Sequence, residues 1–332
     1  MTVQDMISKL KLSSAYSADN ILSRVAEYIP TGCTALDLAI GGGQARLGIP
    51  VGRMTEIFGE NSTGKSILGV HIMAMTQAIG GIALFVNTEC AMSDEVMANI
   101  GVNMDELIQA TPDTVEEVYD VINEVLKMRD ETCKDKLLTV VWDSVAATTS
   151  KEELEKVQEK GLNSRGSIGA TARLLSQLGR CLPRQIAHDR VALVFINQVR
   201  ENIGVMFGED FTTTGGKAIG FYASLRIQVS KKTVVKDLAE GGSPIGIIVK
   251  GHIYKNKLAK PFETVEMPIM FANGIDDAMA MLAKLKVDKY ITTSGGWNKI
   301  VVNEEEHKFQ GAGWPEFYAQ HAEQILQQYY GG

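Results

Sequence analysis

Eight contiguous residues of this 332-residue chain, Gly59, Glu60, Asn61, Ser62, Thr63, Gly64, Lys65 and Ser66, fit the spacing G-x-x-x-x-G-K-[ST]. The chemistry that such a loop supports is phosphate binding. Backbone N–H groups of the loop and of a following helix N-terminus can cradle β- and γ-phosphates. Lys65 then supplies a point charge to those phosphates, and Ser66 offers a hydroxyl to Mg2+. A second acid, Asp143, ends the apolar run LLTVVWD in the order expected of the Mg2+-side carboxylate. Hydrolysis also needs a group that orients or deprotonates water. Glu89 follows the apolar run IALFVN, and Gln198 follows VALVFI. Both positions are strand ends where ligands sit in open α/β sheets. On spacing alone each could equally be a surface residue or a helix cap.

A second stretch with chemical content spans residues 195–217, FINQVRENIGVMFGEDFTTTGGK. It leaves a buried strand and is too long for a tight turn. Ile203, Val205, Met206 and Phe207 stand among glycines, and the segment closes on three threonines, Gly215, Gly216 and Lys217. Compact domains rarely carry such a loop without a use for it. Hydroxyls, paired glycines and cations suit a phosphate backbone.

These residues need a scaffold, and the pattern from about residue 31 to 270 alternates strand and helix. MTEIF (54–58) leads into the glycine loop, and IALFVN (82–87), LLTVVW (137–142) and VALVFI (191–196) are continuous apolar runs. Such runs between helices predict an α/β fold whose parallel sheet is covered on both faces. A helix is expected from Lys65 to about Ile79. After 217, the alternating segments 223–229 and 245–254 predict an antiparallel extension of the same sheet, with a charged turn at Lys231-Lys232. Residues 271–332 read as a small α+β domain with a helix at 276–285, a hairpin around Ser294-Gly295-Gly296-Trp297 and a closing helix at 315–329. Residues 1–30 are too few for a domain and read as an arm for polymerisation.

Composition narrows the class. Hydrophobic content of 45% and charged content of 22% are ordinary for a soluble globular protein. No apolar run reaches the roughly 18 residues of a membrane span. The four cysteines are scattered without a CxxC pair, which argues against a zinc site or a disulfide framework and for a reducing cytoplasm. A net charge of −7 counts against a nucleic-acid binder, but it is uneven. Residues 94–135 carry twelve acids against three Lys or Arg, whereas residues 195–233 carry five cations against three acids.

Taken together, GENSTGKS, WDSVAA (142–147), FINQVRENIGVMFG (195–208), TTTGGKAIGFYAS (212–224) and KNKLAKPF (255–262) resemble the RecA recombinase family. IGVNMDELIQATPDT (100–114) is also similar to it. The likeness runs from about Thr31 to the end of the sequence and fits a divergent or bacteriophage-type member. It implies a P-loop ATPase core that uses ATP and Mg2+, assembles into a helical filament on single-stranded DNA and pairs it with double-stranded DNA. Lys65, Ser66 and Asp143 match the phosphate and Mg2+ residues, and Glu89 matches the catalytic glutamate. Gln198 matches a glutamine that senses the γ-phosphate. Lys255 and Lys257 match lysines that reach the ATP of a neighbouring protomer. For DNA, loop one corresponds to about 157–169 and loop two to about 199–217. Ile168 and Ile203 match apolar wedges between base triplets. Arg173, Ser176, Arg180, Arg200, Gly215 and Gly216 match backbone contacts to the primary strand. Lys231, Lys232 and Lys250 lie near the family's secondary site. Such contacts read no sequence.

The chain also departs from the family. Val96 stands where a tyrosine stacks on adenine, and Ser93 replaces an acid at the adenine edge. Asn87 replaces an aspartate, His252 stands where a lysine is usual, and the segment 41–53 is longer. The sequence closes on Tyr329-Tyr330-Gly331-Gly332 rather than an acidic tail, so weaker restraint of duplex capture is expected. Three readings follow. A recombinase hydrolyses ATP faster with single-stranded DNA. An ATP-gated DNA-coating scaffold binds without turnover. A hexameric helicase forms rings. The intact Lys65, Glu89, Asp143 and Gln198 favour the first, acting in the bacterial cytoplasm, as a bacterial or a phage protein.

Overall fold

The computed structural model describes residues 25–42, 47–161, 169–187, 189–201, 211–237 and 241–331. Most of the expected arm, together with Ile168 and Ile203, lies outside the described residues, and so does the side chain of Arg200.

A short antiparallel pair, β1 (Tyr28–Ile29) and β2 (Ile49–Pro50), brackets helix α1 (Thr34–Gly41). The repeating core follows: β3 (Met54–Gly59), α2 (Lys65–Ala78), β4 (Ile82–Asn87), α3 (Asp94–Ile100), β5 (Leu107–Ala110), α4 (Val115–Thr132) and β6 (Leu138–Asp143). Next come α5 (Lys151–Lys160), α6 (Ala170–Ile186), β7 (Val191–Glu201), β8 (Phe211–Thr213) and α7 (Ala218–Tyr222). The strands β9 (Leu225–Asp237), β10 (Ser243–Asn256), β11 (Thr264–Met270) and β12 (Gly274–Ile275) complete the large sheet.

Among the described residues that sheet has the order β12-β11-β10-β9-β3-β7-β6-β4-β5, with β8 paired to β7. From β9 to β5 every pairing is parallel, and from β9 to β12 every pairing is antiparallel. The expected mostly parallel sheet with an antiparallel extension is therefore present. Its continuous apolar runs are explained by burial on both faces. Ala83 and Phe85 join Leu68, Ile72 and Ile196 on the α2 face, while Leu84 and Val86 join Val118, Leu182 and Phe195 on the α4–α6 face. Successive side chains of a strand point to opposite faces, so one strand serves two cores. Trp142 and Phe195 meet edge-on on the second face, with ring centroids 5.1 Å apart.

One sequence expectation needs correction and one needs extension. Lys231 and Lys232 are not a turn, because β9 runs through them to Asp237 and the chain reverses before Ser243. β-branched residues Thr233, Val234 and Val235 extend the strand past the charged pair. The expected hairpin around Ser294 to Trp297 is present as β13 (Thr292–Ser294) and β14 (Trp297–Val302), and β15 (Glu305–Phe309) extends it to a three-stranded sheet. The third strand, EEHKF, is too polar to stand out by hydropathy. Helices α8 (Asp277–Val287) and α9 (Trp314–Gly331) flank it. The large sheet extends through Ile275, whose N–H donates to His71 Nε2 at 2.8 Å. The Asp277 carboxylate then receives the Thr34 N–H at 2.5 Å and the Thr34 hydroxyl at 2.8 Å. Met281, Leu285 and Trp314 belong to the same apolar core as Leu36 and Ile269, so residues 277–331 pack on the sheet rather than apart from it.

Candidate nucleotide site and nucleic-acid interface

Strands β3, β7, β6 and β4 end side by side, and their C-terminal ends carry the candidate chemistry. Gly59 is in register with Gln198, and Asn87 with Asp143. Gly59 is required by close approach, since a Cβ there would lie 2.0 Å from the Val229 carbonyl oxygen. The loop then turns into α2, whose first residue is Lys65. A cavity of about 340 Å³ is lined by the loop from Asn61 to Ser66 together with Glu89, Asp143, Ser144, Ile196 and Gln198. The structure thus brings together the loop, both candidate carboxylates and the glutamine from four separate segments. Glu60 contributes through its backbone: its carbonyl accepts the Lys65 ammonium at 2.5 Å and the Thr63 hydroxyl at 2.9 Å.

The charges in this cavity are coupled. Lys65 is buried, and burial lowers its pKa, opposed by the carboxylates of Asp143, Glu89 and Glu60. Burial pushes Asp143 up to about 6, a Ser66 hydrogen bond and the Lys65 charge oppose that shift, and Glu89 adds to it. Asp143 Oδ1 is buried without a hydrogen-bond partner among the described residues. An orphaned carboxylate oxygen beside a serine hydroxyl fits a hard divalent cation such as Mg2+, which takes oxygen donors and would hold the acid ionised.

Glu89 is exposed on the cavity rim. Its Oε1 accepts the Gln198 side-chain amide at 2.5 Å and the Ser144 hydroxyl at 3.3 Å. Its backbone N–H and that of Thr88 both donate to the Asp143 carbonyl, at 3.2 and 2.8 Å. Spacing alone left Glu89 and Gln198 open, and the fold places both on the cavity. Ser144 was missed by sequence reasoning, although its position directly after Asp143 was the available signal. Asn87 lies outside the cavity lining and accepts the Cys90 N–H at 2.9 Å, shaping the turn to Glu89. Ser93 caps α3 by accepting the Val96 N–H at 3.3 Å, and neither residue lines the cavity.

Lys255 and Lys257 are likewise absent from the cavity lining. The Lys255 ammonium donates to the carbonyls of Gly220 and Phe221 at 2.7 and 2.9 Å, which close α7. Burial, with Lys257 and Arg226 nearby, pushes its pKa down to about 8. Lys257 is exposed.

On the other side of β7 a second surface forms. Arg173, Ser176 and Arg180 lie on α6 at spacings of three and four, one helix face. Arg173 and Arg180 are exposed, and Ser176 is half-buried. Val199 and Arg200 pair with Thr213 and Thr212 of β8. The turn after β8 holds Gly215 and Gly216 at φ 83° and 75°, and a Cβ at Gly215 would lie 2.2 Å from Leu175 of α6. Gly215 is thus set against the arginine-bearing helix, while a Cβ at Gly216 would meet open space. Lys231 and Lys232 are exposed farther along β9. Lys232 is the extra residue of a β-bulge between Lys231, paired with Val249, and Thr233, paired with Ile248. It forms an ion pair with Glu266 on β11, which neutralises part of its charge. Lys250 is exposed, and His252 accepts or donates a 3.0 Å bond with Thr264.

Comparison with known proteins adds to this geometry. The family model described as the RecA N-terminal domain matches residues 13–276, so residues 277–332 lie beyond that match. The chain is similar to Protein RecA of Aquifex pyrophilus, at 39% identity over 274 residues, which is 82% of this chain and 73% of the relative. It is 38% identical over 271 residues to Protein RecA of Aquifex aeolicus, with the same two shares. Protein RecA of Herpetosiphon aurantiacus is 39% identical over 271 residues, covering 82% of this chain and 71% of the relative.

Proposed function

The chain belongs to the RecA family, and on that premise we propose how its residues divide the work of a DNA-dependent ATPase and recombinase. Members of the family bind ATP with Mg2+, assemble as filaments on single-stranded DNA and exchange strands with duplex DNA, and this chain is a recombinase of that kind. The observation that carries the residue assignment is the single cavity shared by the Gly59–Ser66 loop, Asp143, Glu89 and Gln198.

In this reading the loop N–H groups and Lys65 hold the β- and γ-phosphates of ATP. Ser66 and Asp143 hold Mg2+, which when bound neutralises phosphate charge. Glu89 accepts the proton of the attacking water, and Gln198 hydrogen-bonds a γ-phosphate oxygen. The 2.5 Å bond between Gln198 and Glu89 keeps the two within reach of one substrate atom. Lys255 and Lys257, held away from the cavity of their own chain, serve the ATP of a neighbouring protomer as arginine fingers do. Arg173, Ser176, Arg180, Gly215 and Gly216 bind the primary strand through its backbone, with Arg200, Ile168 and Ile203 assigned to the same surface by motif alone. Lys231 and Lys232 face duplex DNA. Residues 1–30 serve polymerisation, 31–270 catalysis and 271–332 form the C-terminal unit. Among the described residues no helix is long and apolar enough to cross a membrane. From family membership we place the protein in the bacterial cytoplasm, as a bacterial or a phage protein.

The test is ATP turnover with and without single-stranded DNA across a salt series. Turnover rises with DNA, and affinity falls with salt at a log–log slope of about 0.7 per neutralised phosphate. Turnover indifferent to DNA at every salt concentration would sink the reading.

A further inference from the structure

Behind Gln198 lies a side chain that no motif singles out. Asn197 is fully buried in β7 and satisfied on every side. Its Oδ1 accepts the Gln198 backbone N–H at 2.9 Å. Its Nδ2 donates to Glu56 Oε1 at 3.0 Å and to the Thr214 carbonyl at 3.1 Å. The orientation of this amide is fixed by chemistry: the carboxylate and the carbonyl only accept, and the N–H only donates, so a flipped amide would lose all three bonds. A buried amide is costly unless satisfied, and apolar packing alone would not call for one here.

The two ends of this arrangement differ in stiffness. Glu56 is fully buried and receives Arg226 Nε at 2.6 Å. The Arg226 guanidinium lies 4.4 Å from the Phe58 ring centroid and 5.0 Å from that of Tyr254, and Gly220 closes over it. That end is anchored in the sheet. The Thr214 end belongs to a turn whose next two residues are Gly215 and Gly216. Thr214 returns a second bond, its N–H to the Gln198 carbonyl at 3.1 Å. Gln198 is therefore gripped from both backbone sides, once directly by Thr214 and once through Asn197. If the turn moves, Asn197 pivots on Glu56 and carries the Gln198 N–H with it.

We propose that Asn197 is a positioning residue that makes the aim of the Gln198 amide depend on the backbone of the Thr214–Gly216 turn. This rests on the assignment of Gln198 to the γ-phosphate and of the turn to single-stranded DNA. It adds the part that transmits between them: one buried amide that bonds both the turn and Gln198, with the Glu56–Arg226 pair as its fixed point.

The experiment compares Asn197→Asp with the double variant Asn197→Asp/Glu56→Gln, reading melting temperature, DNA-free turnover and the ratio by which single-stranded DNA stimulates turnover. The single change sets two carboxylates together and lowers both melting temperature and stimulation. In the double variant the introduced amide donates to the introduced carboxylate, and Arg226 keeps a nearby anion. Melting temperature returns to within a few degrees of the parent and DNA-free turnover to within about twofold, but the donor to Thr214 is still missing. Stimulation then stays about tenfold or more below the parent, the size of a typical coupling between sites. Stimulation that returns together with melting temperature overturns the proposal, as does parental stimulation in either variant. Failure of both variants to fold also overturns it, by making Asn197 a residue of folding alone. Gln198→Ala is measured beside them. If it keeps full stimulation, the underlying assignment of Gln198 fails; if it loses stimulation while the Asn197 variants keep theirs, only the present inference fails.

Discussion

The loop after β3 and the turn after β8 both depend on glycine, but they are held by different means. The first, Gly59 to Ser66, is fixed by near neighbours in sequence: Thr63 and Lys65 both bond the Glu60 carbonyl, and α2 starts at Lys65. The second, Thr213 to Gly216, has its own bonds between Thr213 and Gly216 but is also held from a distance, by Asn197 and by contact with Leu175 of a separate helix. A phosphate cradle must present the same N–H groups to every nucleotide, so a self-contained loop serves it. In the proposed reading the second turn meets DNA, and its distant supports tie it to β7 and α6.

That contrast makes predictions, beginning with the largest. Lys65→Ala should lower ATP turnover by about 10³-fold, since it removes a charge placed where phosphate charge sits, and a fluorescent nucleotide should show weakened binding. Retained turnover would break the comparison at its rigid end. Glu89→Gln should lower turnover by about 10²-fold while nucleotide binding persists, because the side chain is exposed and its proposed role is proton transfer. Gly215→Ala forces a Cβ to 2.2 Å from Leu175 at a φ of 83°. Its cost of roughly 1–3 kcal/mol in strain should appear as lost DNA stimulation with DNA-free turnover kept. Equal loss of both would mean the two regions are not separable. Arg180→Ala should weaken single-stranded DNA binding and reduce its log–log salt slope by about 0.7, measured by fluorescence anisotropy.

The smallest effect lies at a third place, where the N-terminal segment meets α1. Asp37 accepts the Thr31 N–H at 3.0 and 3.2 Å, and burial pushes its pKa up to about 7 against those bonds. A carboxyl that holds its proton more tightly in the folded state stabilises the fold fully below its unfolded pKa. That contribution is lost as pH rises through the folded value, so stability should decline between pH ~4 and ~7. Thermal melts across this window should show the slope, and Asp37→Asn should flatten it without altering DNA stimulation. An unchanged slope would remove Asp37 as its source.

Legibility followed the same division. The parallel sheet was readable because β4, β6 and β7 are buried on both faces and so carry long apolar runs. The strand EEHKF was not, because four of its five side chains are not fully buried. Lys231-Lys232 looked like a turn by charge, yet lies in a long strand where a bulge carries Lys232 out of the ladder toward Glu266. Glu89 and Gln198 were open on spacing and became a pair only once β4 and β7 were set on either side of β6. Ser144 and Asn197 lie inside the family-like segments WDSVAA and FINQVRENIGVMFG, but neither was singled out there. They matter through hydrogen bonds to Glu89 and Glu56, which lie far from them in sequence.

By itself, then, the sequence determined that this protein binds a nucleotide phosphate, because the eight residues from Gly59 to Ser66 set their own backbone path and need only a strand before and a helix after. It also carried its family in its motifs. Only the tertiary structure decided which side chains share the cavity with that loop, and that one buried amide joins Gln198 to the glycine turn. The reason is physical: local conformation is coded by neighbours three or four residues away. The bonds of Asn197 instead join β7 to Glu56 on β3 and to the Thr214 turn, contacts that exist only once those segments are packed.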